Sequence, residues 1–242
     1  MKLLIDIGNT RLKWALASTA ELRETGTIFH EGEPAAKLHA LPKKPVEAIW
    51  LTHVIGTDHE PAIIGNLHAR YGLAPNLARV TESWNGLRNA YREPQRLGVD
   101  RWLAMIAAWQ DAGRAAPVCV VDAGTALTAD VIAQDGAHLG GIIAAGLQTQ
   151  QRAVLGATHI AARDTAAPFT AALGTDTESC VRQGALLACL GAIDRAAAAA
   201  GPTARCIITG GDAAVLLAHL PGHWLHDPLL VLRGLNALSE PP

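Results

Sequence analysis

The sequence predicts a mixed α/β fold of two lobes, and three observations carry that expectation. Half of the 242 residues are hydrophobic and only 17% are charged, which supplies a sizeable core and argues against a disordered chain. Short apolar strands alternate with helical patterns along the chain. The two halves also open alike, each on an apolar strand, an Asp-x-Gly and a Thr. Asp6 and Asp122 stand 116 positions apart, close to half the chain, which points to an internal duplication.

Residues 2–5 read as the opening strand, and Asp6-Ile7-Gly8-Asn9-Thr10 as a turn, since Asp, Gly and Asn each favour turn geometry. Residues 11–16 alternate Leu12, Trp14 and Leu16 with Arg11, Lys13 and Ala15, as a half-buried strand does. A third strand is expected over 26–30, another over 47–54, a helix over 60–71 and a short strand over 77–80. Residues 101–111 form a helix with Trp102, Leu103, Met105, Ile106 and Trp109 at near-helical spacing and Asp100 as its N-cap.

The second half repeats the pattern. An apolar strand over 117–121 runs into the polar turn Asp122-Ala123-Gly124-Thr125, with strands over 127–132 and 140–144 behind it. Residues 176–200 form a long Ala-rich helix stopped by Gly201-Pro202. A strand over 205–209 follows, then the turn Gly210-Gly211-Asp212, a helix over 213–220, and a last strand or helix after Pro228. The expected lobes are residues 1–114 and 115–242, divided near 112–117.

Composition excludes some functions. The 20 Lys and Arg against 22 Asp and Glu leave a net charge of −2, without the basic excess that nucleic-acid binding draws on. Cys119, Cys180, Cys189 and Cys206 lack zinc-site spacing and stand in apolar surroundings, so all four read as buried thiols in a reducing compartment. His219 and His223, with His226 beyond, invite a metal-site reading, but Pro221 and Gly222 between the first two break the helical facing a metal pair needs. The apolar run at the N-terminus is cut by Asp6, and no stretch reaches the roughly 18 residues of a membrane helix. The expectation is a soluble cytoplasmic protein that engages neither membrane nor nucleic acid.

Three polar turns follow apolar strands: Asp6–Thr10, Asp122–Thr125 and Thr209–Asp212. Glycine lets backbone amides approach phosphate oxygens, Thr hydroxyls donate to them, and Lys13 adds a point charge. Asp6 and Asp122 would repel a bare phosphate, and a bound Mg²⁺ or monovalent ion reverses that sign. The sequence contains no GxxxxGK[ST], no GxGxxG after a strand and no GxSxG.

These motifs, in this order, resemble the bacterial type III pantothenate kinases. Asp6-Ile7-Gly8-Asn9-Thr10-Arg11-Leu12-Lys13 is similar to that family's first phosphate motif, and Leu97-Gly98-Val99-Asp100-Arg101-Trp102 to its Gly-x-Asp-Arg substrate motif. Val121-Asp122-Ala123-Gly124-Thr125-Ala126 resembles its second phosphate and monovalent-cation motif, and Thr209–Asp212 its adenosine-side turn. The resemblance spans nearly the whole chain. It implies the acetate/sugar kinase and actin superfamily, with two duplicated ribonuclease H-like lobes whose mixed sheets are flanked by helices.

The resemblance implies that Asp6, Ile7, Gly8, Asn9, Thr10, Arg11, Leu12 and Lys13 surround the ATP phosphates, with Thr125 also on ATP. It makes Asp100 the general base and puts Tyr91, Gly98, Val99, Arg101 and Thr177 in the pantothenate site, with Thr175 an alternative to Thr177. Asp122 would hold K⁺ or NH₄⁺, Mg²⁺ would accompany ATP, and the chain would form a homodimer. The implied reaction is phosphorylation of pantothenate to 4'-phosphopantothenate, the first step of coenzyme A biosynthesis. The alternatives are a kinase of the same superfamily for another small alcohol and a non-catalytic transcription accessory protein.

Overall fold

The computed structural model describes residues 1–19, 21–159 and 168–240. The first strands are β1 (Lys2–Ile7), β2 (Arg11–Ala17) and β3 (Leu22–Phe29), followed by the four-residue helix α1 (Pro34–Lys37). Next come β4 (Ala48–His53), α2 (Glu60–Tyr71), the two-residue strands β5 (Asn76–Leu77), β6 (Ser83–Trp84) and β7 (Leu87–Arg88), and α3 (Val99–Asp111). The later elements are β8 (Val118–Ala123), β9 (Ala126–Ile132), β10 (His138–Ala145), α4 (Leu147–Ala157), α5 (Thr177–Ala200), β11 (Arg205–Thr209), α6 (Ala213–Leu217), β12 (Leu225–His226) and α7 (Leu230–Leu238).

The chain divides into two units. One comprises Met1–Asn85, Tyr91–Gln110 and the chain from Leu229; the other comprises Gly86–Ala90 and Asp111–Pro228. A single cut at residue 114 would leave α7 in the second lobe, whereas α7 lies against β1, β2 and β4 of the first unit. Its attachment is apolar, through buried Leu230, Leu232 and Leu235. It is also polar, because the Lys2 ammonium reaches Ser239 and Glu240 past the helix end.

Each unit holds a five-stranded mixed sheet of the same order, β3-β2-β1-β4-β5 in the first and β10-β9-β8-β11-β12 in the second. In both, the opening strand pairs antiparallel with the next strand and parallel with the fourth. The duplication suspected from the two Asp-x-Gly turns is therefore a duplication of sheet topology. Leu3, Ile5, Ile7, Leu12, Leu16, Ile49 and Leu51 form the first core with Ile63 and Leu67 of α2. Alternate residues of β8, β9 and β11 build the second with Leu186, Cys189, Leu190 and Ile193 of α5.

Several elements differ from the sequence expectation. Asp6 and Asp122 are strand residues, because β1 and β8 each run two residues past their expected ends, to Ile7 and Ala123. α3 starts at Val99, and the first helical bond runs from the Trp102 N–H to Gly98, so Asp100 lies inside the first turn and is not the N-cap. α6 stops at Leu217, and Cys180 is exposed while the other three cysteines are buried.

Asp176 does cap α5. Its carboxylate accepts from the Ser179 N–H at 2.8 Å, and Ser179 Oγ accepts in return from the Asp176 N–H. The Ser179 backbone and hydroxyl bonds hold the Asp176 carboxyl below its ordinary value. The cap thus stabilises the fold at neutral pH and is lost as pH falls through that lowered pKa. Asp176→Ala is expected to lower the melting temperature at pH 7, with the gap to the parent protein closing as the pH falls below about 4. Thermal melts at both pH values check this.

Candidate active site

In the first unit, sheet register gathers the phosphate-motif residues. Asp6 of β1 lies opposite Lys13 of β2 and beside Thr52 of β4, so all three share one face of the sheet. The opposite face carries Ile5, Ile7 and Leu12 into the core. The turn between β1 and β2 is closed by the Gly8 N–H donating to the Arg11 carbonyl at 3.0 Å, which leaves Asn9 and Thr10 exposed at its tip. Arg11 lies over the Phe29 ring at 5.0 Å.

The second cluster of this unit is built on the start of α3. Asp100 Oδ1 accepts from the Arg101 N–H at 2.8 Å, which fixes the carboxylate at the helix entrance. A Cβ on Gly98 would stand 2.6 Å from that same oxygen, so a side chain there would push the Asp100 carboxylate from this position. The buried Arg101 guanidinium donates to the Tyr91 hydroxyl at 3.1 Å and lies 5.9 Å from the ring centre. An open cavity of about 320 Å³ is lined by Tyr91, Arg92, Glu93 and Arg96. One short segment thus offers a carboxylate, a guanidinium fork and a phenol.

The second unit repeats the first arrangement. Asp122 of β8 lies opposite Thr128 of β9 and beside Thr209 of β11. Its turn is one residue shorter, closed by the Gly124 N–H donating to Ala126 at 3.0 Å. The Thr125 carbonyl accepts from the Gly146 N–H at 3.0 Å and from the Thr149 hydroxyl at 2.7 Å, which locks this turn onto the start of α4. The Asp212 N–H donates to Ala123 at 2.9 Å, and Gln148 donates to the Asp212 carboxylate at 3.1 Å. Thr177 is exposed at the first turn of α5, as Thr175 is just before it.

Among the described residues, two buried hydroxyls lack a hydrogen-bond partner at matching places, Thr52 Oγ1 beside Asp6 and Thr209 Oγ1 beside Asp122. Carboxylate and hydroxyl oxygens are the donors that hard cations take, so both strand ends suit a phosphate-bound Mg²⁺ or a monovalent ion.

The family model for type III pantothenate kinase matches residues 2–199. The chain belongs to the type III pantothenate kinase family. It is 33% identical over 250 residues to the type III pantothenate kinase of Nitrosococcus oceani, covering 99% of this chain and 94% of that one. It is 36% identical over 240 residues to the type III pantothenate kinase of Pseudoalteromonas translucida, covering 99% and 97%. As a member of this family it is a phosphotransferase, and membership supports pantothenate as acceptor with ATP and a divalent metal. None of its helices in the described residues is long and apolar enough to cross a membrane.

Solved structures share the pantothenate kinase fold. A Campylobacter jejuni protein provisionally called a Baf family transcriptional activator superposes with a TM-score of 0.62 at 22% identity, over 98% of this chain and 96% of that one. A Sinorhizobium meliloti protein provisionally called a 2-dehydro-3-deoxygalactonokinase gives 0.60 at 13%, over 99% and 98%. Both likenesses are of fold alone.

Sequence reasoning missed several residues around these clusters. Gly146, Gln148 and Thr149 escaped because α4 carries no apolar stripe; of its residues only Leu147 is buried. His138 also went unnoticed. It is buried with Asp130 at 2.9 Å, and its other nitrogen accepts the Ala90 N–H at 3.4 Å, one residue before Tyr91 in the chain. The Arg88 side chain holds the same strap to Asp135.

Proposed function

We propose that this chain transfers the γ-phosphoryl group of ATP to the primary hydroxyl of pantothenate, with Asp100 accepting the hydroxyl proton. The observation that carries the reading is the cluster at the start of α3, where a fixed carboxylate stands next to the Arg101–Tyr91 pair. Phosphoryl transfer asks little covalent chemistry of a protein; it asks for alignment, charge neutralisation and an acceptor for the alcohol proton. Asp100 meets the last need as the hydroxyl becomes acidic in the transition state. Arg101 offers a planar fork for the pantothenate carboxylate, with Tyr91, Gly98, Val99 and Thr177 (or Thr175) around the rest of the substrate.

In this reading Asp6 through Lys13 surround the ATP phosphates and Thr125 contacts ATP. Asp6 faces the phosphate-bound Mg²⁺, and Asp122 holds K⁺ or NH₄⁺. Bound there, the cations offset phosphate charge. The division of labour follows from chemistry: a monovalent ion tolerates irregular oxygen donors, whereas Mg²⁺ keeps a strict octahedron. A homodimer completes the proposal. Leu139, Ile142 and Ile143 on the edge strand β10, Val154 of α4 and Leu187 of α5 are exposed apolar side chains of the kind a second copy would cover. The three buried thiols suit a reducing cytoplasm.

The test is ADP release from purified protein with ATP and Mg²⁺, with and without pantothenate, in K⁺ and in Na⁺. Turnover is expected only with pantothenate and to collapse when Na⁺ replaces K⁺. Bound ATP without pantothenate-dependent turnover would overturn the substrate assignment and direct attention to other small alcohols. Equal rates in both salts would overturn the cation at Asp122.

A further inference from the structure

We infer that His30 is a positioning residue for the first phosphate turn, an inference that rests on reading residues 8–13 as the ATP phosphate cradle. His30 follows β3 and is 1% exposed. A buried imidazole has to satisfy both nitrogens, and here the partners fix its tautomer. The Gly32 N–H lies 3.2 Å from Nδ1, and a backbone N–H can only donate, so Nδ1 is the acceptor. The proton therefore sits on Nε2, which donates to the Gly8 carbonyl at 2.8 Å.

The main chain of the same residue grips the turn a second time. The His30 N–H donates to the Thr10 carbonyl at 3.3 Å. The two carbonyls flanking Asn9 are thus both tied to one residue, while the Gly8 N–H is tied to Arg11. In a trans peptide the C=O and the following N–H point in opposite directions. Fixing the Gly8 and Thr10 carbonyls toward His30 therefore turns the Asn9 and Arg11 amides away from it. Amides so oriented are what a phosphate oxygen takes from a glycine turn. A mobile turn would have to order at each binding event, at an entropic cost that His30 removes in advance.

The experiment compares His30→Ala, His30→Gln and His30→Asn with the parent, reading KM for ATP, KM for pantothenate and the affinity for a non-hydrolysable ATP analogue. Lys13→Ala serves as control for the phosphate reading. Loss of the imidazole bond is expected to raise the ATP KM about tenfold and weaken analogue binding alike, leaving the pantothenate KM within about twofold. Gln, whose side-chain N–H reaches as far as Nε2, is expected to recover most of the loss, and the shorter Asn is not.

An unchanged ATP KM in folded His30→Ala, alongside a raised one in Lys13→Ala, overturns the inference and leaves the phosphate reading standing. An unchanged value in both overturns the two together. Should His30→Ala not fold, the Gln and Asn variants decide: a lower ATP KM for Gln supports the role, and equal values overturn it.

Discussion

Asp100→Asn is expected to lower kcat by about 10²- to 10⁴-fold, the range that removing a general base produces, while the KM for ATP stays within about twofold. The substitution suits the question because Asn keeps the shape of Asp and the oxygen that accepts the Arg101 N–H. It also leaves the close approach over Gly98 and the Arg101–Tyr91 bond in place. What it removes is the capacity to take a proton. A loss confined to kcat therefore reports on chemistry, whereas a raised pantothenate KM would report on binding. Steady-state kinetics with both substrates varied separates the two. If Asp100→Asn kept a kcat within threefold of the parent, Asp100 would be a positioning group, and the proton would have to leave by way of solvent.

The sequence carried the first half of this site well. Alternation of Leu12, Trp14 and Leu16 against Lys13 and Ala15 assigned Lys13 to the face opposite Leu12 and Leu16, and register then put it across from Asp6. Asp and Gly chemistry located both turns, yet it misjudged where the strands end. Asp6 and Asp122 are turn formers by propensity, but each has register partners on both neighbouring strands, and sheet pairing overrides propensity there.

Other features were illegible for physical reasons. α7 has a clear apolar face, but periodicity says only that a face is buried and not which sheet covers it. That is why its place on β1, β2 and β4 could not be read. His30 reads locally as an ordinary polar residue after a strand, since its partners Gly8 and Thr10 lie some twenty positions back. The start of α4 was hidden similarly: Gly146 and Thr149 matter through a carbonyl that belongs to Thr125.

Gly210→Ala is expected to destabilise the second unit strongly. Gly210 has φ +101°, a region where L residues are strained by about 1–3 kcal/mol. A Cβ there would also stand 2.5 Å from Asp122 Oδ1 and overlap the Ala123 carbonyl. The carbonyl cannot yield freely, because it already accepts the Asp212 N–H at 2.9 Å and so closes the turn after β11. Strain and displacement together are expected to cost about 2–4 kcal/mol, a fall in melting temperature of about 5–15 °C. Gly156→Ala is the matched control, since nothing lies within 4 Å of its Cβ and it sits in α4, where Ala is the better helix former. Its melting temperature should hold or rise slightly. The two effects of Gly210→Ala separate by titration. Displacing Asp122 should raise the K⁺ concentration needed for half-maximal activity, measured at a temperature where the variant remains folded. A variant that melts early yet keeps the parent's K⁺ requirement would show that Gly210 serves the fold alone.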